Sequence, residues 1–322
     1  MAGQKSGSEI LAFVYRKTEL PDRDQKAKRL HLCGKTLIFA EKDGGLIPAG
    51  AYRCGIRLCP SCSWIRSRQV FENVYSVITD PEFSGKQFIF LTLTVKNCRG
   101  EFLESEINRL LSAWRDLTKD ERKPFRESFL GTFRALEVTY NRQKKSYHPH
   151  LHAMAAVEPG YFRKTNPDYI SQAKLRELWR DACGLDYLPQ CRIEKVKNTA
   201  KKQVAEVAKY TVKSAEYISR PEVVQVLDPA LRNKRLIAYG GIFKTVKQRL
   251  NLPDDDFPEG EFRVSFEELL RNPCIRKWIL EWHGGTYHVS VIEPLPPEQL
   301  IQSARRLSGE IIDGYFGGQG GA

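Results

Sequence analysis

The stretch SYHPHLHAMAAV, residues 146–157, holds half of the chain's six histidines at alternate positions: His148, His150 and His152. Successive side chains of a strand point to opposite faces, so the three imidazoles share one face while Leu151 and Ala153 serve the other. Counting back across a polar turn centred near Gln143 and Lys144 brings Glu137 of RALEVTY roughly opposite His150, with the same facing. Two imidazoles and one carboxylate with open positions form the 2-His-1-carboxylate set, which suits Mn, Fe, Co or Zn and tolerates Mg. His150, His152 and Glu137 are therefore the expected ligands of a divalent catalytic metal. His148, beside Pro149 at the start of the strand, is a secondary candidate: a ligand, an outer donor or a phosphate contact. A slip of one residue in register turns Glu137 away.

A second constellation is CGIRLCPSCSWIRSRQ, where Cys54, Cys59 and Cys62 are spaced C-x4-C-x2-C. The C-P-S-C knuckle points two thiolates at one ion, and a fourth donor is available from Cys33 or His31 in HLCG. That predicts a tetrahedral structural zinc site. Arg66 and Arg68 follow on a helix with apolar positions at Trp64, Ile65, Val70, Phe71, Val74 and Val77, and are candidate DNA contacts. A third signal lies in KKQVAEVAKYTVKSAEYIS. On a helix Glu206, Tyr210, Lys213 and Tyr217 fall on or near one face, with Val204, Val207, Ala208 and Thr211 on the other. That arrangement shows a tyrosine, a carboxylate and an ammonium to a substrate.

The elements that must position these groups are legible as periodicities. QFIFLTLTVKN reads as a central strand, and residues 101–119 carry Phe102, Leu103, Ile107, Leu110, Leu111, Trp114 and Leu117 at helical spacing. GTFRALEVTY and YHPHLHAMAAV follow as an antiparallel hairpin closed by NRQKK. YISQAKLRELWRDACG is amphipathic and ends at Gly184, QCRIEKV is a short strand, and a helix runs over about residues 199–218. The order β-α-β-β-α-β-α predicts an α+β fold, a ferredoxin-like split βαβ with a central antiparallel sheet. The Pro/Gly/Ser-containing stretch TDPEFSGK predicts a boundary, giving an N-terminal segment with the zinc knuckle over 1–83, a catalytic domain over 84–250 and a C-terminal extension over 251–322. In that extension FEELLRNPCIRKWILEWHGG reads as helical and then strand-like.

Composition narrows the partners. The 322 residues carry a formal charge of +12 and are 41% apolar, enough for a packed core with a polyanion as partner. Nucleic acid is the commonest polyanion. Lys144 and Lys145 beside the histidine hairpin, and Lys201 and Lys202 before the tyrosine, are the expected phosphate clamps. Tyr140, Tyr147 and Tyr161 could stack on unpaired bases. No apolar run approaches the roughly 18 residues a membrane span needs, and MAGQKSGSEI lacks the apolar core of a signal peptide. The expectation is a cytoplasmic protein with no membrane partner, whose clustered cysteines are metal ligands before bridges.

FLTLTV, then LEVTYN with His150-Leu151-His152, then EVAKYTVKSAEY occur in an order and at a spacing that resembles the rolling-circle plasmid replication initiators, members of the HUH endonuclease superfamily. RLCPSC and YGGIFKTVKQRLN are also similar to family segments, so the likeness spans about residues 54–250. It implies the HUH nuclease fold and a metal, Mn2+ or Mg2+, on His150 and His152, completed by Glu137. It further implies Tyr210 as the nucleophile on single-stranded origin DNA, giving a 5'-phosphotyrosine and a 3'-hydroxyl for a host DNA polymerase. Lys213 is a candidate activator of the phenol, Glu206 matches the glutamate thought to activate water in the final cleavage, and Tyr217 is a candidate second nucleophile. A host helicase is a further expected partner. Two alternatives stand beside this reading: an HUH-type transposase with the same chemistry, and a non-enzymatic zinc-containing DNA-binding regulator.

Overall fold

The computed structural model describes residues 2–42, 45–119, 124–163, 165–196, 217–255, 262–264 and 277–293. Along the chain the elements are α1 (Ala2–Arg16), α2 (Arg23–Leu32), β1 (Thr36–Lys42), β2 (Gly45–Tyr52), α3 (Pro60–Ile78), β3 (Gln87–Thr94), α4 (Leu103–Lys119), α5 (Pro124–Ser128), β4 (Gly131–Asn141) and β5 (Ser146–Val157). There follow α6 (Gln172–Cys183), β6 (Cys191–Lys195), α7 (Pro221–Leu231), β7 (Ile237–Gly241), α8 (Ile242–Arg249), β8 (Phe262–Val264), β9 (Lys277–His283) and β10 (Thr286–Glu293). The protein is α+β with two antiparallel sheets, in two compact units: Met1–Cys62 with Phe257–Ala322, and Ser63–Asp256.

The second unit is built on the sheet β6-β3-β5-β4-β7, every neighbouring pair antiparallel. One face carries Ile89, Leu91 and Leu93 of β3, Leu136 and Val138 of β4, and Leu151, Ala153 and Ala155 of β5, all buried. α4 packs on β5 and against α6, burying Leu103, Ile107, Leu110, Trp114 and Leu117 at the spacing of one helical face. α6 is capped at both ends: the Ser171 hydroxyl accepts from the Lys174 amide at 3.2 Å, and Gly184 takes the left-handed conformation, φ 61°, that ends the helix. The opposite face carries Phe90, Phe133, Ala135, Met154 and Ala156, covered by Val70, Val74 and Val77 of α3 and by Phe243 and Val246 of α8.

These contacts move the boundary expected at residue 83. TDPEFSGK is a packed turn: the Asp80 carboxylate caps the Glu82 amide at 3.0 Å, and Phe83 is buried against Phe88 and Phe243. Val70, Val74 and Val77 recur every three or four residues because they cover this sheet, so most of α3 counts with the second unit and the division falls after Cys62. The strand β7 was not anticipated. It lies against β4 where glycines allow close approach: a Cβ on Gly241 would stand 2.4 Å from the Leu130 carbonyl oxygen, and φ there is 54°.

The first unit joins the two ends of the chain. Its sheet has the order β10-β9-β1-β2-β8, with Thr36–Ala40 of β1 paired antiparallel to Lys277–Glu281 of β9. The expected C-terminal extension therefore supplies three strands of a five-stranded sheet whose other two are N-terminal. β9 and β10 form a two-residue hairpin on Gly284 and Gly285, φ 58° and 86°, the left-handed pair that such a turn requires. The strand part of the reading over residues 277–283 matches β9; residues 265–276 lie outside the described residues. α1 packs along α2, burying Leu11, Ala12, Val14 and Tyr15. Among the described residues no helix is long and apolar enough to cross a membrane.

Candidate metal centres

The histidine cluster grows out of the sheet's register. On the face covered by α3 and α8, β5 presents Ala156 and Met154, then His152, His150 and His148. β3 changes at the same level, since Phe90 pairs with Met154, Thr92 with His152 and Thr94 with His150. β4 follows, with Phe133 opposite Met154, Ala135 opposite His152 and Glu137 directly opposite His150. β3 and β5 thus switch from apolar to polar at the His152 rung and β4 at the next, the His150 rung. The four-residue turn at 142–145 sets that register: the Asn141 side chain accepts from the Lys144 amide at 2.9 Å, and Lys145 takes φ 46°.

Donor atoms converge across these two rungs. Glu137 Oε2 lies 3.4 Å from His150 Nε2 and 3.2 Å from His152 Nε2. Two N/O ligands of one divalent ion are about 3.0–3.4 Å apart when each metal bond is about 2.1 Å, so the spacing fits an ion shared by the three. Each ring is held through its other nitrogen: His150 Nδ1–H donates to the His148 carbonyl at 3.1 Å, and His152 Nδ1 meets Thr92 Oγ1 at 3.4 Å. The tautomer that leaves His150 Nε2 as a lone-pair donor is thereby favoured. Burial works to raise the Glu137 carboxyl, but hydrogen bonds and proximity to His150 and His152 outweigh it and hold the group well below the usual carboxylate range. His148 stacks on His150 with ring centroids 5.1 Å apart and stands outside the converging trio. Burial and the neighbouring His150 lower its pKa.

The cysteine cluster assembles from three separate places in the chain. Cys33 ends α2, Cys54 follows β2, and Cys59 and Cys62 flank the first turn of α3; all four are fully buried. Sulfur–sulfur separations are 3.5 Å for Cys33–Cys62, 3.6 Å for Cys54–Cys62 and 3.6 Å for Cys59–Cys33. These are far from a disulfide's ~2.05 Å and near the ~3.8 Å edge of a tetrahedron with zinc–sulfur bonds of about 2.3 Å. Cys33, rather than His31, completes the quartet; His31 faces Glu9 instead, at 3.8 Å.

The remaining site expectations separate by position. Tyr210, Glu206, Lys213, Lys201 and Lys202, with residues 199–216 of the helix read over about 199–218, lie outside the described residues. Tyr217 is wholly buried, which removes its phenol from the reach of a substrate in this conformation. Arg66 is 3% exposed, so its guanidinium is not displayed as a surface phosphate contact. Arg68 is exposed, above the Trp64 ring at 5.3 Å, and Lys144 and Lys145 are exposed at the hairpin turn. Tyr147 and Tyr161 are buried too, the Tyr161 hydroxyl accepting from the Ile170 amide at 3.1 Å, so neither offers a stacking surface. Thr92 was missed as a partner of His152, although its alternation with Leu91 and Leu93 places it on the histidine face.

The fold and its sites define an α+β protein with two buried groups of side chains able to hold metal ions. Comparison with known proteins carries this further: the family model for replication proteins matches residues 47–288. The chain belongs to that family, the plasmid replication initiators, whose partner is DNA. It is 36% identical over 297 residues to a "Protein rep" of Bacillus amyloliquefaciens, covering 83% of this chain and 85% of that one. A "Protein rep" of Streptococcus pneumoniae serotype 2 (strain D39) is 34% identical over 257 residues, 78% of this chain and 79% of its own. A third, from a Bacillus species, is 36% identical over 294 residues, 82% and 92%. No solved structure matches.

Proposed function

We propose that this initiator works by rolling circle, nicking and rejoining single-stranded origin DNA as an HUH-type endonuclease whose ferredoxin-like catalytic domain is the unit Ser63–Asp256. The observation that carries the reading is the convergence of Glu137 Oε2 with the Nε2 atoms of His150 and His152 in a member of a replication-initiator family. The sheet supports it as well. The run β3-α4-β4-β5-α6-β6, with strand order β6-β3-β5-β4, has the connectivity of a split βαβ.

Glu137, His150 and His152 would hold Mn2+ or Mg2+, which supplies Lewis-acid polarisation of a phosphate oxygen. The anionic Glu137 and the fixed His150 ring present lone pairs to one point before substrate arrives. The Tyr210 phenol oxygen attacks the scissile phosphorus, and the bond to the 3' oxygen breaks. The phenol proton is lost to a base, the 3' oxygen leaves as a hydroxyl, and a 5'-phosphotyrosine remains. Attack by a later 3'-hydroxyl reverses the step and rejoins DNA. Lys213 lowers the cost of the phenolate, and Glu206 orients water for the terminal cleavage. A host polymerase extends the freed 3' end in the cytoplasm, and a host helicase opens the duplex ahead. Lys144, Lys145 and Arg68 are exposed cations suited to phosphates. A structural zinc on Cys33, Cys54, Cys59 and Cys62 belongs to the same reading. The replication-protein match favours initiator over transposase.

Covalent capture tests the chemistry without knowledge of the origin. The protein is incubated with random single-stranded DNA and Mn2+ and resolved on a denaturing gel. A protein–DNA adduct is expected, absent in Tyr210→Phe and reduced at least about 100-fold in His150→Ala, a loss of several kcal/mol of charge stabilisation. Protein that binds the pool yet forms no adduct is a DNA-binding regulator and ends the nuclease reading.

A further inference from the structure

The buried side of α1 is not uniformly apolar. Beside Leu11, Ala12 and Tyr15 it carries Lys5 and Ser8, both 0% exposed and one turn apart. Ser8 Oγ lies 3.3 Å from Cys59 Sγ and 3.0 Å from the hydroxyl of Ser61, between the two knuckle cysteines, and also reaches the Gln4 carbonyl at 3.0 Å, to which its one proton can turn instead. Lys5 Nζ donates to the His31 carbonyl and lies 3.4 Å from Glu9, a carboxylate whose side chain is 34% exposed. Burial pushes the Lys5 ammonium down from its ordinary value, and Glu9 together with Cys33 and Cys59 pulls it back. Arg29 adds a second cation, its guanidinium donating to the Cys54 carbonyl.

A wholly buried ammonium is costly unless a charge answers it, and the part-exposed Glu9 carboxylate at 3.4 Å is the nearest answer to Lys5. A tetrathiolate around Zn2+ carries a net double negative charge and, with its sulfurs out of water, has the opposite need. We propose that Ser8 and Lys5 tie α1 to the four-cysteine zinc site, Ser8 through its contact with Cys59 and Lys5 through the His31 carbonyl two residues before Cys33, so that the N-terminal helix is held while zinc is bound and loosens when it leaves. The inference rests on the zinc reading of Cys33, Cys54, Cys59 and Cys62 and is independent of the nuclease chemistry. Lys5 and Ser8 are positioning residues, since neither has a place among the four ligands. Groups that orient and neutralise a metal's ligands contribute about 10- to 100-fold in metal affinity.

The test uses the full-length protein and three readouts: zinc content, chelator competition and amide hydrogen exchange. As purified, the chain should carry zinc in equimolar amount. Stripping it should raise exchange over residues 2–16 at least about tenfold while the amides of β5 stay protected. Lys5→Met and Ser8→Ala keep all four ligands and should lose zinc to chelator at about 10- to 100-fold lower concentration; Lys5→Arg, which keeps the charge, should recover much of that. Zinc that is bound and removed with no change at residues 2–16, or Lys5→Met retaining zinc within about twofold of the parent, overturns the docking role and leaves the zinc site standing. A chain that binds no zinc when refolded in its presence overturns the site itself.

Discussion

At the scale of single residues, the trio depends on how its rings are held as much as on which donors it contains. The His150 ring is fixed by a main-chain carbonyl, which no side-chain substitution removes, whereas the His152 ring leans on one hydroxyl, Thr92 Oγ1, at 3.4 Å. Thr92→Val keeps the β-branched shape that a strand favours and deletes only that hydroxyl. It should weaken Mn2+ binding, measured by titration calorimetry, about tenfold, and leave the denaturation midpoint nearly unmoved. An affinity within about twofold of the parent would show that the Phe90 ring, 5.5 Å from that of His152, suffices to orient it.

At the scale of elements, the site is the polar end of a sheet face whose other end is core, and the strand carrying it is fixed from behind. Leu151 lies between His150 and His152 on the opposite face, fully buried, opposite Leu93 of β3 and Leu136 of β4. Leu151→Ala should cost about 2–5 kcal/mol in urea denaturation and weaken metal binding although it touches no ligand. A full loss of stability with unchanged metal affinity would uncouple the strand's packing from the site. This region was readable in the sequence because alternation and the polar turn are local: together they put Glu137 opposite His150. The role of α3 was harder to read. Its valines have helical spacing, but nothing in the spacing says which apolar surface they cover, and the adjacent TDPEFSGK has the composition of a linker although Phe83 is packed against Phe88 and Phe243. β7 went unread because Ile237–Gly241 is short and half glycine at its end, a pattern that sequence alone does not separate from a loop.

At the scale of the whole molecule, the chain closes its first unit with strands from both termini, and pairings of that range leave no local trace. The signal for the second hairpin was present in KWILEWHGGTYHVSV, where two glycines separate alternating runs, yet its partner, TLIFA of β1, lies well over two hundred residues earlier in the chain. The pairing makes β1 an internal strand, bonded on one side to β2 and on the other to β9. Ending the chain after Asp256 removes β8, β9 and β10 and turns both sides of the β1–β2 hairpin into open edges; a two-stranded hairpin is marginal in water. Main-chain bonds go with it, including the Trp282 amide to the Lys35 carbonyl at 2.9 Å, as does the Tyr287 hydroxyl on the Gly34 carbonyl at 2.6 Å, both beside Cys33. Limited proteolysis of the truncated protein should therefore cut within residues 2–62 under conditions that leave the full-length chain intact there, while β3, β4 and β5, whose pairings all lie in the second unit, stay resistant. If the N-terminal segment instead resists protease as before, α1, α2 and the cysteine cluster hold it without the sheet, and the C-terminal strands serve some purpose other than completing it.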